Sequence, residues 1–157
     1  MKSCSIIGHR DVESTDALKI SILTTVRHLI INDGVTTFMF GSRSSFKNLC
    51  YDVITELKKE FNYIQRVYVR AEYPNISEHY YNYLKKYYEE SYFYDETSCG
   101  GRFNYIKRNE KMIDNSDICL FYYNAEYKPT SKTRSGTDLA YKYAQRKGKL
   151  IINMYEK

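Results

Sequence analysis

Asp117-Ile118-Cys119-Leu120-Phe121-Tyr122-Tyr123, followed after a polar stretch by Ser135-Gly136-Thr137-Asp138-Leu139-Ala140, is the part of the chain on which the fold turns. The first run is apolar without interruption and has the length of a strand. A strand with no polar alternation is one covered on both faces, as in a parallel sheet. The second run opens a helical pattern over residues 137–147, with Leu139, Ala140, Tyr143 and Ala144 on one side. Gly148 is placed to end that helix, and Leu150 to Met154 then gives a second apolar run. Strand, helix, strand in this order is a parallel crossover unit.

The same alternation extends toward the N-terminus. Cys4 to Gly8 reads as a strand. Ser14 or Thr15 caps a helix carrying Leu18, Ile22, Val26, Leu29 and Ile30, which Asn32-Asp33-Gly34 stops. Thr36 to Gly41 is the second strand. Ser44 or Ser45 caps a helix with Phe46, Leu49, Cys50, Val53, Ile54 and Leu57 on one face. Arg66 to Arg70 is a third strand. A polar, Tyr-rich helix covers about 77–89, a short strand 91–94, a Gly-containing loop 97–102, and a helix about 104–114 with Ile106, Met112 and Ile113 inward. The expectation is one α/β domain over residues 1–157, a Rossmann-like, doubly wound, mostly parallel sheet with helices on both faces.

Composition narrows the chemistry. With 157 residues, 43% hydrophobic and 27% charged, the chain suits one ordinary globular domain. No apolar run approaches a membrane span. The apolar stretch after Lys2 is shorter than a signal peptide requires, so the expected location is cytoplasmic. Cys4, Cys50, Cys99 and Cys119 lie far apart, with no zinc-type spacing, and read as core thiols; neither metal nor cofactor is expected. A net charge of +5 favours an anionic ligand but is too small to argue for nucleic acid. The 18 tyrosines, with no tryptophan, suit packing and interfaces, and those between Tyr80 and Tyr88 exceed what one buried stripe needs. Self-association through that helix is expected.

Ligands of such sheets bind outside the carboxyl ends of the strands. Four segments reach that edge. Gly8-His9-Arg10 offers a turn, a donor or proton carrier, and a guanidinium for phosphate. Gly41-Ser42-Arg43, ahead of a capped helix bearing Phe46, offers backbone amides and charge. Arg108 and Asn109 lie on the helix before the 117–123 strand. Ser135-Gly136-Thr137-Asp138 opens a helix, where amides, a hydroxyl and the positive end of the dipole make a phosphate cradle. Each alone also fits an ordinary turn or helix start or, for Arg108 and Asn109, a solvated helix face. Their shared edge makes them a candidate site.

The ordered set SIIGHR, TTFMFGS, KRNEKMIDNSDICLFYY, SGTDLAYKYA and KGKLIINM resembles the SLOG superfamily, which includes the Lonely Guy phosphoribohydrolases and the DNA-processing Smf proteins. The resemblance covers nearly the whole chain and is most specific over about 102–154. The opening GHR looks like a small stand-alone branch found among bacterial and prophage proteins. The resemblance implies a Rossmann-like fold that binds a nucleotide or nucleotide derivative, such as an ADP-ribose-type or cyclic signalling nucleotide, as a sensor or sequestering module. Phosphates would lie at Gly136-Thr137 and Gly41-Ser42, neutralised by Arg10, Arg43 and Arg108, with Phe46 or Tyr105 stacking a base. Arg108 matches the catalytic Arg of the Lonely Guy enzymes. Their Pro-Gly-Gly loop and its Glu are not matched, since Leu139 and Ala140 stand where the Glu would be. A glycosidase needs such a carboxylate. Hydrolysis or transfer at an N-glycosidic bond is therefore the alternative, with His9, Arg108 and Asp138 as its candidates and Glu72 or Asp11 as substitute carboxylates. Single-stranded DNA binding is the second alternative; Lys58-Lys59, Lys85-Lys86 and Arg146-Lys147 read as solvated helix faces rather than a nucleic-acid track.

Overall fold

The computed structural model describes residues 2–41, 43–95, 104–127 and 135–155. Eleven elements alternate: β1 (Lys2–Gly8), α1 (Asp16–Ile31), β2 (Val35–Phe40), α2 (Ser45–Glu60), β3 (Gln65–Arg70), α3 (Glu78–Tyr87), β4 (Glu90–Phe93), α4 (Asn104–Asp114), β5 (Ile118–Tyr122), α5 (Gly136–Arg146) and β6 (Leu150–Asn153). Six strands form one sheet in the order β4-β3-β2-β1-β5-β6. Every pairing is parallel, so all carboxyl ends lie along one edge. The strand order reverses between β1 and β5, which makes their carboxyl ends the switch point.

Side-chain alternation builds two cores. Cys4, Ile6, Phe38, Phe40, Tyr68, Ile118 and Leu120 face α1 and α2, joined by Leu84 of α3. Ile7, Met39, Val67, Val69, Cys119 and Phe121 face Met112 and Ile113 of α4 and Ala140 and Ala144 of α5. Cys4, Cys50 and Cys119 are free thiols inside these cores; Cys99 lies outside the described residues.

The helix starts follow local hydrogen-bond chemistry. Thr15, Ser44, Ser77 and Ser135 each sit in extended backbone and accept from an amide three residues on, resolving the choices at the first two helices. Gly148, with φ of 68°, ends α5 in the left-handed region. The Tyr-rich helix is shorter than the 77–89 expected: Tyr88 is extended and Glu90 already pairs with Val67. It exposes Tyr81, Tyr83 and Tyr87, and Leu84 alone of its residues is buried. No described helix is long and apolar enough to cross a membrane.

Among the dibasic pairs Lys58 alone is half-buried: its Nζ donates to the carbonyls of Asn62 and Ile64 and pairs with Glu89. Lys59, Lys85, Lys86, Arg146 and Lys147 are exposed, as expected of solvated faces, the last two over the Tyr143 ring.

Candidate functional site

The carboxyl edge gathers the sequence-derived residues into three neighbourhoods. The first is the switch point. His9 follows β1, is 2% exposed, and stacks on Tyr127 with centroids 4.0 Å apart. Its Nε2 accepts from the Asn124 amide at 2.8 Å, which requires the neutral ring with the proton on Nδ1. That Nδ1 is buried without a partner. Burial pulls the His9 pKa below its ordinary 6.5. The proton-carrier role therefore meets an obstacle: one nitrogen is occupied, the ring is enclosed, and the group stays neutral. Arg10 is exposed, and its carbonyl accepts from the Ser45 amide and hydroxyl at 2.8 and 2.9 Å, tying this loop to α2.

Across the switch point, both Asp138 carboxylate oxygens are engaged. Oδ1 accepts from the Tyr123 hydroxyl at 2.5 Å and Oδ2 pairs with Lys142 at 3.2 Å. Tyr123 stacks on Tyr141 at 4.3 Å. Asp138 braces the start of α5, which Ser135 caps by accepting from the Asp138 amide.

The second neighbourhood centres on Arg108, which is 3% exposed. The stripe of α4 that packs inward is Asn104, Arg108, Asn109, Met112 and Ile113. Arg108 and Asn109, which taken alone fit a solvated helix face better than a site, are buried, and Ile106, expected inward, is only half-buried. Arg108 Nε and an Nη donate weakly to Asn109 Oδ1, at 3.4 and 3.3 Å, and its guanidinium lies 5.4 Å from the Tyr105 centroid. Among the described residues it has no carboxylate within ion-pair distance. Burial lowers its pKa, against which Tyr68, Tyr105 and Glu72 act.

The glycines of the site answer to packing. A Cβ at Gly41 would lie 2.7 Å from Arg108 Nε and 2.8 Å from Met112 Sδ. A Cβ at Gly8 would lie 2.3 Å from the Phe46 ring. Phe46 is completely buried against Gly8 and Tyr122, so the base-stacking expected of it is ruled out in this conformation. At Gly136 a Cβ would meet nothing within 4 Å. That residue is exposed at the start of α5, beside buried Thr137, in a shallow groove shared with Asn109 between α4 and α5. Ser42 lies outside the described residues.

The third neighbourhood contains Arg43 and Glu72 from the sequence reading, which did not bring them together or include Arg70, Tyr73 and Tyr80 in the site. A pocket of about 330 Å³ opens beyond β3, walled by Arg43, Tyr68, Arg70, Glu72, Tyr73 and Tyr80 and floored near the Ser77 cap of α3. Arg70 Nη1 donates to the Tyr73 carbonyl at 2.9 Å, while its Nε is buried and unpaired. Lys47 lies 5.5 to 5.8 Å from the rings of Tyr51, Tyr68 and Tyr88. Burial, then the Arg43 charge, lowers its pKa. A charged residue ending an otherwise alternating strand, Arg70, was the available signal, since strand ends meet ligands on this edge.

The model of the YspA SLOG family matches residues 5–156. The chain belongs to the YspA SLOG family. No curated protein sequence matches it. Among solved structures it is similar to DNA processing protein A from Helicobacter pylori, described for its single-stranded DNA binding mode, at a TM-score of 0.58 and 17% identity. The alignment covers 96% of this SLOG chain and 63% of that protein, so it spans under two thirds of that neighbour's length. A likeness at this identity is one of fold. For this member of the YspA SLOG family, the edge geometry supplies half-buried Lys47 and Arg70 and buried Arg108 around Tyr68, a closed histidine at the switch point, and an open helix start at Gly136.

Proposed function

We propose that the chain is a binding module for a nucleotide or nucleotide-derived anion, held at the carboxyl edge of the sheet. The observation that carries this reading is Arg108: a guanidinium 3% exposed, without an acidic partner among the described residues, beside Gly41. Burying a charge unpaired costs several kcal/mol, roughly, and such groups are kept where a ligand supplies the countercharge. Arg43 and Arg70 line the adjacent pocket, and its volume of about 330 Å³ falls at the lower end of small-molecule sites. The α5 start at Gly136 gives a further anion position. Binding without turnover is favoured over N-glycosidic hydrolysis because Asp138, its expected carboxylate, is held by Tyr123 and Lys142.

The test is mass spectrometry of the supernatant after denaturing freshly purified protein, with thermal shift against a panel of nucleotides and ADP-ribose derivatives. The expected result is a stabilising nucleotide recovered unchanged, whose shift disappears in Arg108→Met. Release of free base, abolished by Asp138→Asn, would instead establish the hydrolase. Oligonucleotide affinity above that of mononucleotides, falling steeply with salt, would establish single-stranded DNA binding. No ligand and no shift across the panel would end the proposal.

A further inference from the structure

Glu72 is out of place in its surroundings. It lines the β3 pocket together with Arg43 and Arg70, and it lies within the field of buried Arg108. Yet it makes no ion pair and no hydrogen bond among the described residues. An ionised carboxylate is an acceptor only, with room for two parallel donors. A cationic donor is disfavoured there by the three guanidiniums. What remains is a neutral group that presents two N–H donors side by side.

The walls say what shape carries those donors. Tyr68, Tyr73 and Tyr80 give the pocket flat aromatic surface, and Tyr73 is 69% exposed at the mouth. A planar heterocycle stacks on such surface. Among nucleobases, adenine and cytosine set their amino group beside a ring acceptor, which a carboxylate repels. Uracil sets its one N–H between two carbonyls. Guanine alone offers N1–H and the 2-amino group together, and its O6 and N7 suit a guanidinium such as Arg43 or Arg70. We propose that the β3 pocket is the base subsite of the ligand and that Glu72 selects guanine. This rests on the nucleotide reading above: the phosphate would sit toward Gly41 and Arg108, and Arg43, two residues past Gly41, borders both regions.

Calorimetric titration of the purified chain with GMP, IMP, AMP, 2′-deoxyGMP and ribose 5-phosphate tests it, alongside Glu72→Gln. Gln keeps the length but sets an amide N–H against one of guanine's donors. Glu72 is half-exposed and makes no ion pair or hydrogen bond among the described residues, so the variant should fold as wild type, which circular dichroism checks. GMP should bind roughly tenfold or more tighter than AMP. IMP, lacking the 2-amino group, should fall between, and the GMP preference should vanish in Glu72→Gln while AMP binding holds or improves. Equal GMP and AMP affinities in wild type overturn the base assignment and leave the nucleotide site standing. So does an unchanged preference in the variant. A preference for GMP over 2′-deoxyGMP that Glu72→Gln removes, with GMP and AMP alike, would assign Glu72 to the ribose and overturn guanine selection. Failure of every nucleotide and of ribose 5-phosphate to bind overturns both readings.

Discussion

At Gly8 and Gly136 the same residue type serves different ends. The absent side chain of Gly8 is replaced by the Phe46 ring, whose nearest atom a Cβ would approach to 2.3 Å. Gly8→Ala should therefore lower stability by about 1–3 kcal/mol through overpacking, read from a urea midpoint. Phe46→Leu in the same background should return part of that loss, because the two positions share one volume. An additive pair would refute the packing account. Gly136→Ala meets open space within the first turn of a helix and should leave stability equal or slightly higher. A loss of ligand shift in that variant alone would mark the α5 start as an anion position. His9 gives a pH signature. Its folded pKa lies below the unfolded 6.5, so the unfolded chain takes up the proton more readily. The contribution of His9 is whole above 6.5 and is lost as pH falls through the folded value. His9→Gln, whose side-chain oxygen can still accept from the Asn124 amide, should flatten the drop in urea midpoint between about pH 7.5 and pH 5. An unchanged slope would mean that the ring is already charged or exposed in solution.

Among the elements, α4 divides its buried stripe by function. Met112 and Ile113 fill the core under the sheet, and Ser5 Oγ donates to the Met112 carbonyl at 2.9 Å, fixing the helix's lower end. One turn up, Arg108 and Asn109 occupy the same face at the carboxyl edge. Replacing the lower apolar residue should cost stability without touching ligand. Replacing Arg108 with Met, of comparable length and without the buried charge, should raise the melting temperature of the ligand-free protein while removing ligand stabilisation. A fall in the ligand-free melting temperature would show that Arg108 is structural, held by Asn109 and Tyr105, rather than reserved for an anion. Helical periodicity could not find this division, because a hydropathy stripe counts Arg and Asn as outward wherever they stand. The apolar spacing of α1 and α2 was legible, since their buried residues are hydrophobic throughout, whereas α5 also buries Thr137 and leaves Leu139 and Tyr143 half-buried.

For the molecule as a whole, the parallel order brings five helix starts and six strand ends to one edge. That convergence sets Gly41 against Arg108, Gly8 against Phe46, and Gly136 in a groove with Asn109. The neighbourhoods are nonetheless separate: Asp138 acts on the His9 side, and Arg108 on the Tyr68 side. The expectation of self-association falls on the exposed tyrosines of α3. Light scattering across a concentration series should show an oligomer that Tyr83→Glu dissociates, and a wild-type monomer throughout would end that expectation.

The sequence by itself determined the alternation of strands and helices, the carboxyl-edge segments and the resemblance to the SLOG superfamily. These rest on local signals: apolar runs, caps and glycine stops act over a few residues and can be read in order. Tertiary structure decided which glycine serves packing and that Phe46 belongs to the core. It also decided that Arg108 is buried without an acid beside it among the described residues, and that Arg70, Glu72 and three tyrosines, from β3, the loop after it and α3, line a pocket. Those facts depend on what stands across a gap between distant segments, and residue spacing along the chain carries no record of it.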